Sequence, residues 1–191
     1  MRFIVVDGLD GVGKDTHAKL IKKRYEDKGE MVIIRSHPES DNFFGRKTKK
    51  ALCGKGKINK SRASIYYMLD VLRSVRKYYR KKECDTLIMV RYLVGTAYLP
   101  SKLAGLGYNF FYKFVPTSDY MFFLDAKPKD LLKRVEKREE KEIFETLDEL
   151  VKVRKKALVL VKNWNIINTS GSVEDTASLI KKMLDSIDKK M

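Results

Sequence analysis

The chain has 191 residues, 43% of them hydrophobic, and a formal net charge of +16 at pH 7. This composition is ordinary for a globular protein, and residues 1–191 are expected to form a single domain. No apolar run is long enough to cross a membrane and the N-terminus lacks a signal-peptide pattern, so we expect a cytoplasmic protein without membrane partners. Cys53 and Cys84 are isolated, have no metal-ligand spacing and are expected to be reduced thiols.

The excess of Lys and Arg has two possible explanations. One is nucleic-acid binding, and the other is an ion-paired, Lys/Glu-rich surface around a site for polyanionic nucleotides. The chain contains no Gln and many Lys and Glu residues, a trend of heat-adapted proteins. Its basic residues are spread over nearly every predicted helix, which favours the second explanation and argues against nucleic acid as a partner.

The first motif follows a short apolar run, Phe3 to Val6, which predicts a strand buried on both faces. Gly8-Leu9-Asp10-Gly11-Val12-Gly13-Lys14 then has the spacing of a phosphate-binding loop, and the apolar positions after it predict a helix ending near Gly29. Glycines let successive N–H groups converge on phosphate oxygens, the helix N-terminus adds partial positive charge, and Lys14 adds a full charge. This context favours a nucleotide site over a glycine turn that only packs a strand against a helix.

Four more apolar runs predict strands at Met31–Ile34, Thr86–Val90, Tyr120–Leu124 and Asn165–Ile167. Helical patterns lie between them at Arg62–Lys82, Asp130–Glu142 and Leu147–Val161, and Ser172 and Asp175 predict a capping box before the last helix. Alternation of strands with helices predicts a mostly parallel sheet covered on both faces. Ligands bind beyond the carboxyl ends of such strands, where the loop glycines and Arg91 lie.

In this order the motifs resemble the thymidylate kinase family of nucleoside monophosphate kinases, over nearly the whole chain. The most specific match is the phosphate-binding loop with an acid at its centre, Asp10. The other matching segments are Thr16, Pro38-Glu39, Arg91-Tyr92, Ala97-Tyr98, Leu124-Asp125 with Pro128, Arg134, Arg138, Phe144-Glu145 and Asn168-Thr169-Ser170.

The resemblance implies a three-layer α/β/α P-loop kinase fold with a five-stranded parallel sheet and a short helical lid, roughly residues 134–145. It also implies transfer of the ATP γ-phosphate to dTMP, with ATP and Mg²⁺ as cofactors and a homodimer formed through helices next to the third strand. The apolar positions between Ile65 and Tyr79 permit such an interface.

The resemblance also assigns roles. The whole loop, Gly8 to Lys14, with Asp15, Thr16 and Arg134, would bind ATP, and Lys14, Arg91 and Arg138 would be catalytic. Asp10 would bind the sugar 3′-hydroxyl and Arg91 the acceptor phosphate, while Glu39, Tyr67 and Tyr98 would contact the acceptor. Arg138 would reach over the phosphates from the lid, because Gly11 stands where some members have a loop arginine.

Alternatives remain for several of these residues. Arg91 also fits a surface cation at a strand end, and Arg134 and Arg138 fit ion pairs with neighbours such as Glu142. Tyr67 fits a core position as well as a ring that stacks on thymine. His17 is expected on an exposed helix face, and His37 next to Pro38 as a packing residue.

Three positions depart from the family pattern. Asp15 replaces the hydroxyl residue that binds Mg²⁺, Val90 replaces an aspartate that supports the metal, and Ser40 replaces a phosphate-binding arginine. Val71 also stands where the base-reading arginine is expected, and Arg73 from a neighbouring turn is the alternative to it. One hypothesis is that Asp15 binds Mg²⁺ in place of both lost ligands. The alternative is that Asp15 only favours the helix N-terminus electrostatically and the metal site is impaired.

Three functions therefore compete. They are an active thymidylate kinase or a kinase for a different (d)NMP, a nucleotide-binding paralogue with weak or no kinase activity, and a basic protein that binds ATP and nucleic acid. The sequence contains no RNA-binding aromatic motif, zinc site or DNA-reading helix in support of the third.

Overall fold

The computed structural model describes residues 1–54, 57–136 and 146–190. Within these ranges the chain forms five strands and seven α-helices, together with a π-helical turn, Val75–Tyr79, and a 3-10 turn, Val94–Tyr98. The strands are β1 (Arg2–Gly8), β2 (Val32–Ser36), β3 (Thr86–Val90), β4 (Met121–Asp125) and β5 (Asn165–Asn168). The helices are α1 (Lys14–Glu26), α2 (Phe43–Leu52), α3 (Lys57–Ser74), α4 (Ser101–Phe114), α5 (Pro128–Val135), α6 (Leu147–Leu160) and α7 (Val173–Asp188).

The strands form one parallel sheet in the order β2-β3-β1-β4-β5. Right-handed crossovers place α1 on one face and the helices between β2 and β5 on the other. Helix α7 contacts α1, so it lies on the α1 face. The predicted three-layer α/β/α fold with a five-stranded parallel sheet is confirmed.

The core lies on both faces of the central strands. Ile4, Val5 and Val6 of β1 are fully buried, as are Phe122 and Phe123 of β4. A strand covered on two faces needs apolar side chains in both directions, which explains the continuous apolar runs.

The carboxyl edge of the sheet brings the ends of three strands together. In the register, Val90 at the end of β3 lies beside Val6 on one side and Ser36 on the other. The loop after β1 and Arg91 after β3 therefore start next to each other, as expected for a ligand site at this edge.

Charged and aromatic side chains contact one another at the opposite edge of the sheet, where the strands begin. The guanidinium of Arg2 lies 4.1 Å from the centre of the Tyr25 ring and 2.6 Å from a Glu30 carboxylate oxygen. The hydroxyls of Tyr25 and Tyr120 donate to Asp188, at 3.1 and 2.8 Å. These contacts connect β1, α1 and the end of α7.

Candidate active site

The phosphate-binding loop between β1 and α1 is held by its apolar members. Leu9 and Val12 are each 1% exposed and pack into the core. Gly8 has a φ of +148°, and a Cβ there would lie 2.3 Å from the Leu124 carbonyl oxygen, so only glycine fits. Gly13, with a φ of +87°, caps α1 without a side-chain bond. The first turn of α1 therefore faces the loop with its amide groups, as an anion site requires.

Lys14 lies folded over the loop that precedes it. Its ammonium group donates to the carbonyl oxygens of Gly8 and Leu9, at 2.9 and 2.6 Å, and lies 3.4 Å from an Asp10 carboxylate oxygen. Burial lowers the pKa of Lys14, and the negative charge of Asp10 opposes that change. A phosphate chain would offer this buried cation stronger partners than two carbonyl groups.

Helix α5 covers the other side of the loop. Arg134 donates to the Thr169 carbonyl oxygen at 2.9 Å and to the Gly11 carbonyl oxygen at 3.4 Å. A Cβ on Gly11 would lie 3.1 Å from the Leu131 carbonyl oxygen, so α5 leaves little room for a side chain there. Arg134 thus joins the loop to the segment after β5.

A cavity of about 960 Å³ opens next to the loop, at the ends of β1, β2 and β3. It is large enough for a nucleotide-sized ligand. Asp15 and all five residues predicted to contact the acceptor line this cavity. The five are Asp10, Glu39, Tyr67, Arg91 and Tyr98.

Arg91 is the cation at the centre of this wall. One guanidinium nitrogen lies 3.3 Å from an Asp15 carboxylate oxygen and 3.3 Å from the Ser36 hydroxyl, and another lies 3.7 Å from Asp10. The Arg91 backbone has a φ of +58°, in the left-handed region that non-glycine residues rarely adopt. The turn after β3 therefore holds Arg91 in a strained conformation that aims it at two carboxylates.

Asp15, in the first turn of α1, also accepts a hydrogen bond of 2.6 Å from the Ser36 hydroxyl. Partial burial opposes its ionisation, yet the nearby Arg91 and the Ser36 hydrogen bond lower the pKa of Asp15 overall. Asp15 is therefore an ionised carboxylate at neutral pH, facing the same cavity as Arg91. Thr16, next to it in the same turn, is exposed.

Tyr98 and Tyr67 form the aromatic part of the cavity wall. The Tyr98 hydroxyl donates to Asp10 at 3.1 Å, and the Tyr67 hydroxyl donates to the Tyr92 carbonyl oxygen at 3.2 Å. The Tyr67 ring packs so closely on Gly95 that a Cβ there would lie 2.6 Å from a ring carbon. Tyr67 is partly buried against the core and also lines the cavity. Its position is therefore compatible both with a core residue and with a ring that stacks on a base.

The loop after β2 is organised by buried polar contacts. Glu39 accepts from the Ser36 amide at 2.7 Å, and the Glu39 amide donates to the buried Asp70 at 2.8 Å. His37 is fully buried, and its Nε2 lies 2.9 Å from the Ser74 hydroxyl. His37 therefore packs, as predicted, and Glu39 shapes the cavity wall through its own backbone and that of Ser36.

Comparison with known proteins decides the family. The sequence model described as thymidylate kinase matches residues 6–180. A probable thymidylate kinase from Pyrococcus abyssi is 31% identical, with 95% of this chain and 97% of the relative aligned. One from Methanocaldococcus jannaschii is 28% identical, with 97% and 96% aligned. The chain belongs to the thymidylate kinase family.

A solved structure of thymidylate kinase from Candida albicans has the same fold. Its TM-score is 0.74 at 16% sequence identity, and the match covers 99% of this chain and 92% of that one. Membership makes this chain one of a family of kinases that transfer phosphoryl groups, and the expected fold and enzyme class are confirmed.

Two of the departures from the thymidylate kinase pattern, Val90 and Asp15, lie on either side of Ser36. Val90, where an aspartate was expected, is fully buried beside Ser36, and the Ser36 hydroxyl contacts Asp15. The Ser40 hydroxyl accepts from the Lys49 ammonium group at 2.6 Å. Lys49 thus brings a cation to the position that lacks its arginine.

Arg138 and residues 137–145 of the predicted lid (134–145) lie outside the described residues. Val71 is 3% exposed and belongs to the core, and Arg73, two residues later on α3, lies 3.9 Å from Asp41.

Two polar residues of the site were not predicted. Asp7 is 2% exposed and accepts from the amides of Gly8, Tyr92 and Val94 at 2.7–2.9 Å, so it joins the loop to the turn after β3. Burial raises the pKa of Asp7, although the three amide donors oppose this. Ser36 is the second residue that was not predicted. Its position at the end of β2 could have indicated that it lies at the ligand edge of the sheet.

Proposed function

We propose that this member of the family transfers the γ-phosphate of ATP to dTMP, giving ADP and dTDP. The observation that carries the proposal is the convergence of a phosphate-binding loop, with Lys14, and a nucleotide-sized cavity containing Arg91 at one edge of the sheet. Phosphoryl transfer needs two anionic groups aligned and their charge neutralised, and this arrangement supplies a cation at each end.

On the donor side, the loop amides and Lys14 would hold the β- and γ-phosphates of ATP. Thr16, which is exposed in the first turn of α1, would add its hydroxyl to this anion site. Arg134 joins the loop to the segment after β5, which supports a role beside the rest of the nucleotide. Arg138 would reach over the transferring phosphoryl group from the lid.

On the acceptor side, Arg91 would hold the monophosphate of dTMP, since a planar guanidinium can bind two oxygens at once. Asp10 and Tyr98, joined by a 3.1 Å hydrogen bond, would bind the sugar hydroxyl. Tyr67 would stack on the base and Glu39 would line its pocket. An oxygen of the held monophosphate would then attack the γ-phosphorus, and the bond from that phosphorus to ADP would break.

A coupled assay with ATP, Mg²⁺ and a panel of dNMPs and NMPs tests this proposal. We expect ADP formation with dTMP at a higher kcat/KM than with any other acceptor. Faster turnover of another monophosphate would assign a different acceptor to the same chemistry. No ADP formation with any acceptor would contradict the kinase proposal and favour a nucleotide-binding paralogue. The departures at Asp15 and Val90 motivate that second candidate.

We also propose that Asp15 binds Mg²⁺. Kinases hold Mg²⁺ with one or two carboxylates, substrate phosphates and water, and the ion neutralises charge on the transferring phosphates. Among the described residues no cluster of three or more His, Cys, Asp or Glu side chains could cage a metal. The Asp15 carboxylate and the Ser36 hydroxyl are nevertheless hard oxygen donors beside the phosphate-binding loop, so this donor set fits an ion shared with ATP.

Asp15→Thr, which restores a loop hydroxyl, tests the metal role. We expect the variant to need more Mg²⁺ for half-maximal activity and to bind Mn²⁺ more weakly in the presence of ADP, measured by paramagnetic resonance. Unchanged or improved turnover and Mn²⁺ affinity would contradict the role and favour an electrostatic effect on the helix N-terminus.

We further propose a homodimer formed through the helices next to β3. Ile65 is 60% exposed and Leu69 38% exposed on α3, which leaves apolar area uncovered on the monomer. Such patches on a soluble protein favour a protein partner. Light scattering of the native chain should give twice the monomer mass, and the Ile65→Glu, Leu69→Glu double variant should be monomeric. A native monomer would contradict the proposal.

We propose the cytoplasm as the site of action, where ATP and nucleotides are present. Cys53 and Cys84 are both free, as expected for thiols in a reducing compartment. None of the helices in residues 1–54, 57–136 and 146–190 combines the length and apolar character needed to span a bilayer. Fractionation of cells that express the tagged chain would test the location.

A further inference from the structure

Asp15 and Arg91 face the same cavity from neighbouring elements. Asp15 is in the first turn of α1, and Arg91 follows β3. Their side chains approach to 3.3 Å, and the Ser36 hydroxyl lies between them, at 2.6 Å from Asp15 and 3.3 Å from Arg91. The three groups form a closed set of contacts, which we call the Asp15 cluster.

Two carboxylates flank Arg91 at the place where an incoming anion would bind. Arg91 carries one positive charge and lies within 4 Å of two carboxylates, Asp10 and Asp15. A nucleoside monophosphate brings close to two negative charges to the same guanidinium. Asp10 has two further partners, Lys14 and Tyr98, whereas Asp15 has Ser36 and Arg91. Asp15 is therefore the carboxylate whose charge is balanced chiefly by the cation that an acceptor phosphate would need.

We infer that Asp15 is an internal counter-ion of Arg91 that competes with the acceptor phosphate and so sets the affinity of the empty enzyme for its acceptor. The inference rests on the proposed function, because it takes Arg91 as the phosphate ligand. Asp15 acts through Arg91 and is a positioning residue. When the phosphate binds, the Asp15 carboxylate loses a partner and is left close to a second anion.

A purely local role for Asp15 does not account for the cluster. A carboxylate in the first turn of a helix gains stability from the amide groups there, whichever way its side chain points. The Asp15 side chain, although 52% exposed, instead points to Ser36 and Arg91 on other elements. Both contacts join segments more than 20 residues apart in the sequence. The orientation of the Asp15 side chain is therefore explained by its contacts in the cavity rather than by the helix N-terminus.

Calorimetric titration with dTMP, without ATP and with EDTA to remove metal ions, tests the inference. We expect Asp15→Asn to bind dTMP about tenfold more tightly than the native chain, because one repulsive charge near the phosphate is removed. Asp15→Ser should shift the affinity in the same direction. Thymidine, which has no phosphate, is the second probe, and its affinity should be the same for all forms.

Asp185→Asn is the matched control. Asp185 on α7 is also paired with an arginine, Arg24 at 2.6 Å, and its side chain is 47% exposed, close to the 52% of Asp15. The control therefore makes the same change in net charge, at a carboxylate of similar exposure that is absent from the cavity wall. Its affinity for dTMP should stay within about twofold of the native value.

The outcomes separate the inference from the proposed function. Equal or weaker binding of dTMP by Asp15→Asn would overturn the inference alone, since the acceptor site would remain. A gain that appears equally with thymidine or with Asp185→Asn would also overturn it, because the effect would not come from the phosphate or from this carboxylate. Absence of dTMP binding in every form would overturn both the inference and the acceptor assignment.

Discussion

Arg91 combines a strained backbone conformation with a charged side chain on the cavity wall. Its left-handed backbone carries a conformational cost of about 1–3 kcal/mol, which the fold must offset elsewhere. The Asp7 carboxylate contributes by binding the amides of Tyr92 and Val94, which fix the turn around Arg91. A strained cation on the wall of a cavity of this size supports the proposed role of Arg91 in binding an anion.

Replacing Arg91 by lysine should separate charge from geometry. We expect Arg91→Lys to lower kcat/KM for dTMP by about 10²–10³-fold, because an ammonium group cannot hold two oxygens in the fixed geometry of a guanidinium. Steady-state kinetics measure the effect. Arg24→Lys, at an arginine that pairs with Asp185 and Asp188 outside the cavity, is the control and should keep near-native activity. Native kinetics for Arg91→Lys would remove Arg91 from the acceptor site.

His37 gives the fold a defined response to acid. Burial lowers the pKa of His37 to about 4, against an ordinary value near 6.5, and the charge of Asp70 opposes the shift only in part. The folded chain thus binds fewer protons than the unfolded chain between these values, so the free energy of unfolding falls as the pH drops from about 6.5 to about 4. His37→Phe should flatten this slope in urea titrations, whatever its effect at pH 7. An unchanged slope would show that His37 is already charged in the folded state.

Not every histidine was predictable. His17 was expected on an exposed helix face, and this was wrong, because it is 3% exposed on α1. Its ring lies against Gly13, and α7 lies against α1. The sequence of one helix indicates its apolar side, but it does not reveal a second helix that covers a polar residue.

At the scale of elements, strands were predicted better than helices. The apolar runs gave all five strands within two residues at each end, since burial on both faces requires such runs. Helices α2 and α4 were not predicted. Gly45 in α2 suggests a loop, yet a Cβ there would lie 1.8 Å from the Glu39 carbonyl oxygen, so close packing selects the glycine. The start of α2 had a usable signal in Asn42, whose side chain caps the helix.

The candidate site was likewise predicted only in part. Strand-end positions placed the loop and Arg91 together, because the strand ends of a parallel sheet meet at one edge, whereas Tyr98 was expected only from the family resemblance. The contact of Asp15 with Ser36 was beyond prediction, since it depends on the strand order β2-β3-β1, which the sequence alone leaves open.

The capping box at the start of α7 provides an element-scale test. The Ser172 hydroxyl accepts from the Asp175 amide at 3.0 Å, and Asp175 accepts from the Ser172 amide at 3.2 Å. We expect Ser172→Ala to lower the free energy of unfolding by about 1 kcal/mol, because an amide of the first turn loses its partner. Chemical denaturation measures the change. Ser178→Ala, at an exposed position in the middle of the same helix, should be neutral or slightly stabilising, and a loss equal to that of Ser172→Ala would argue against the cap.

At the scale of the whole molecule, the net charge of +16 is a source of self-repulsion. The described ion pairs balance part of it, for example Arg154 with Asp125 at 2.7 Å beside β4. We expect the melting temperature to rise by about 3–5 °C between about 20 mM and about 500 mM KCl, because salt screens the remaining repulsion. Differential scanning calorimetry measures this. A fall with added salt would mean that attractive surface pairs dominate.

The contact of Gly95 with the Tyr67 ring limits the size of any side chain at position 95 on the cavity wall. A single methyl group at position 95 would need the space now filled by the aromatic ring. The ring would have to move, and the cavity that it lines would change in shape without any change in charge. A substitution at position 95 would therefore narrow the range of bases that fit the proposed acceptor site, and it would leave the residues proposed to bind phosphate unchanged.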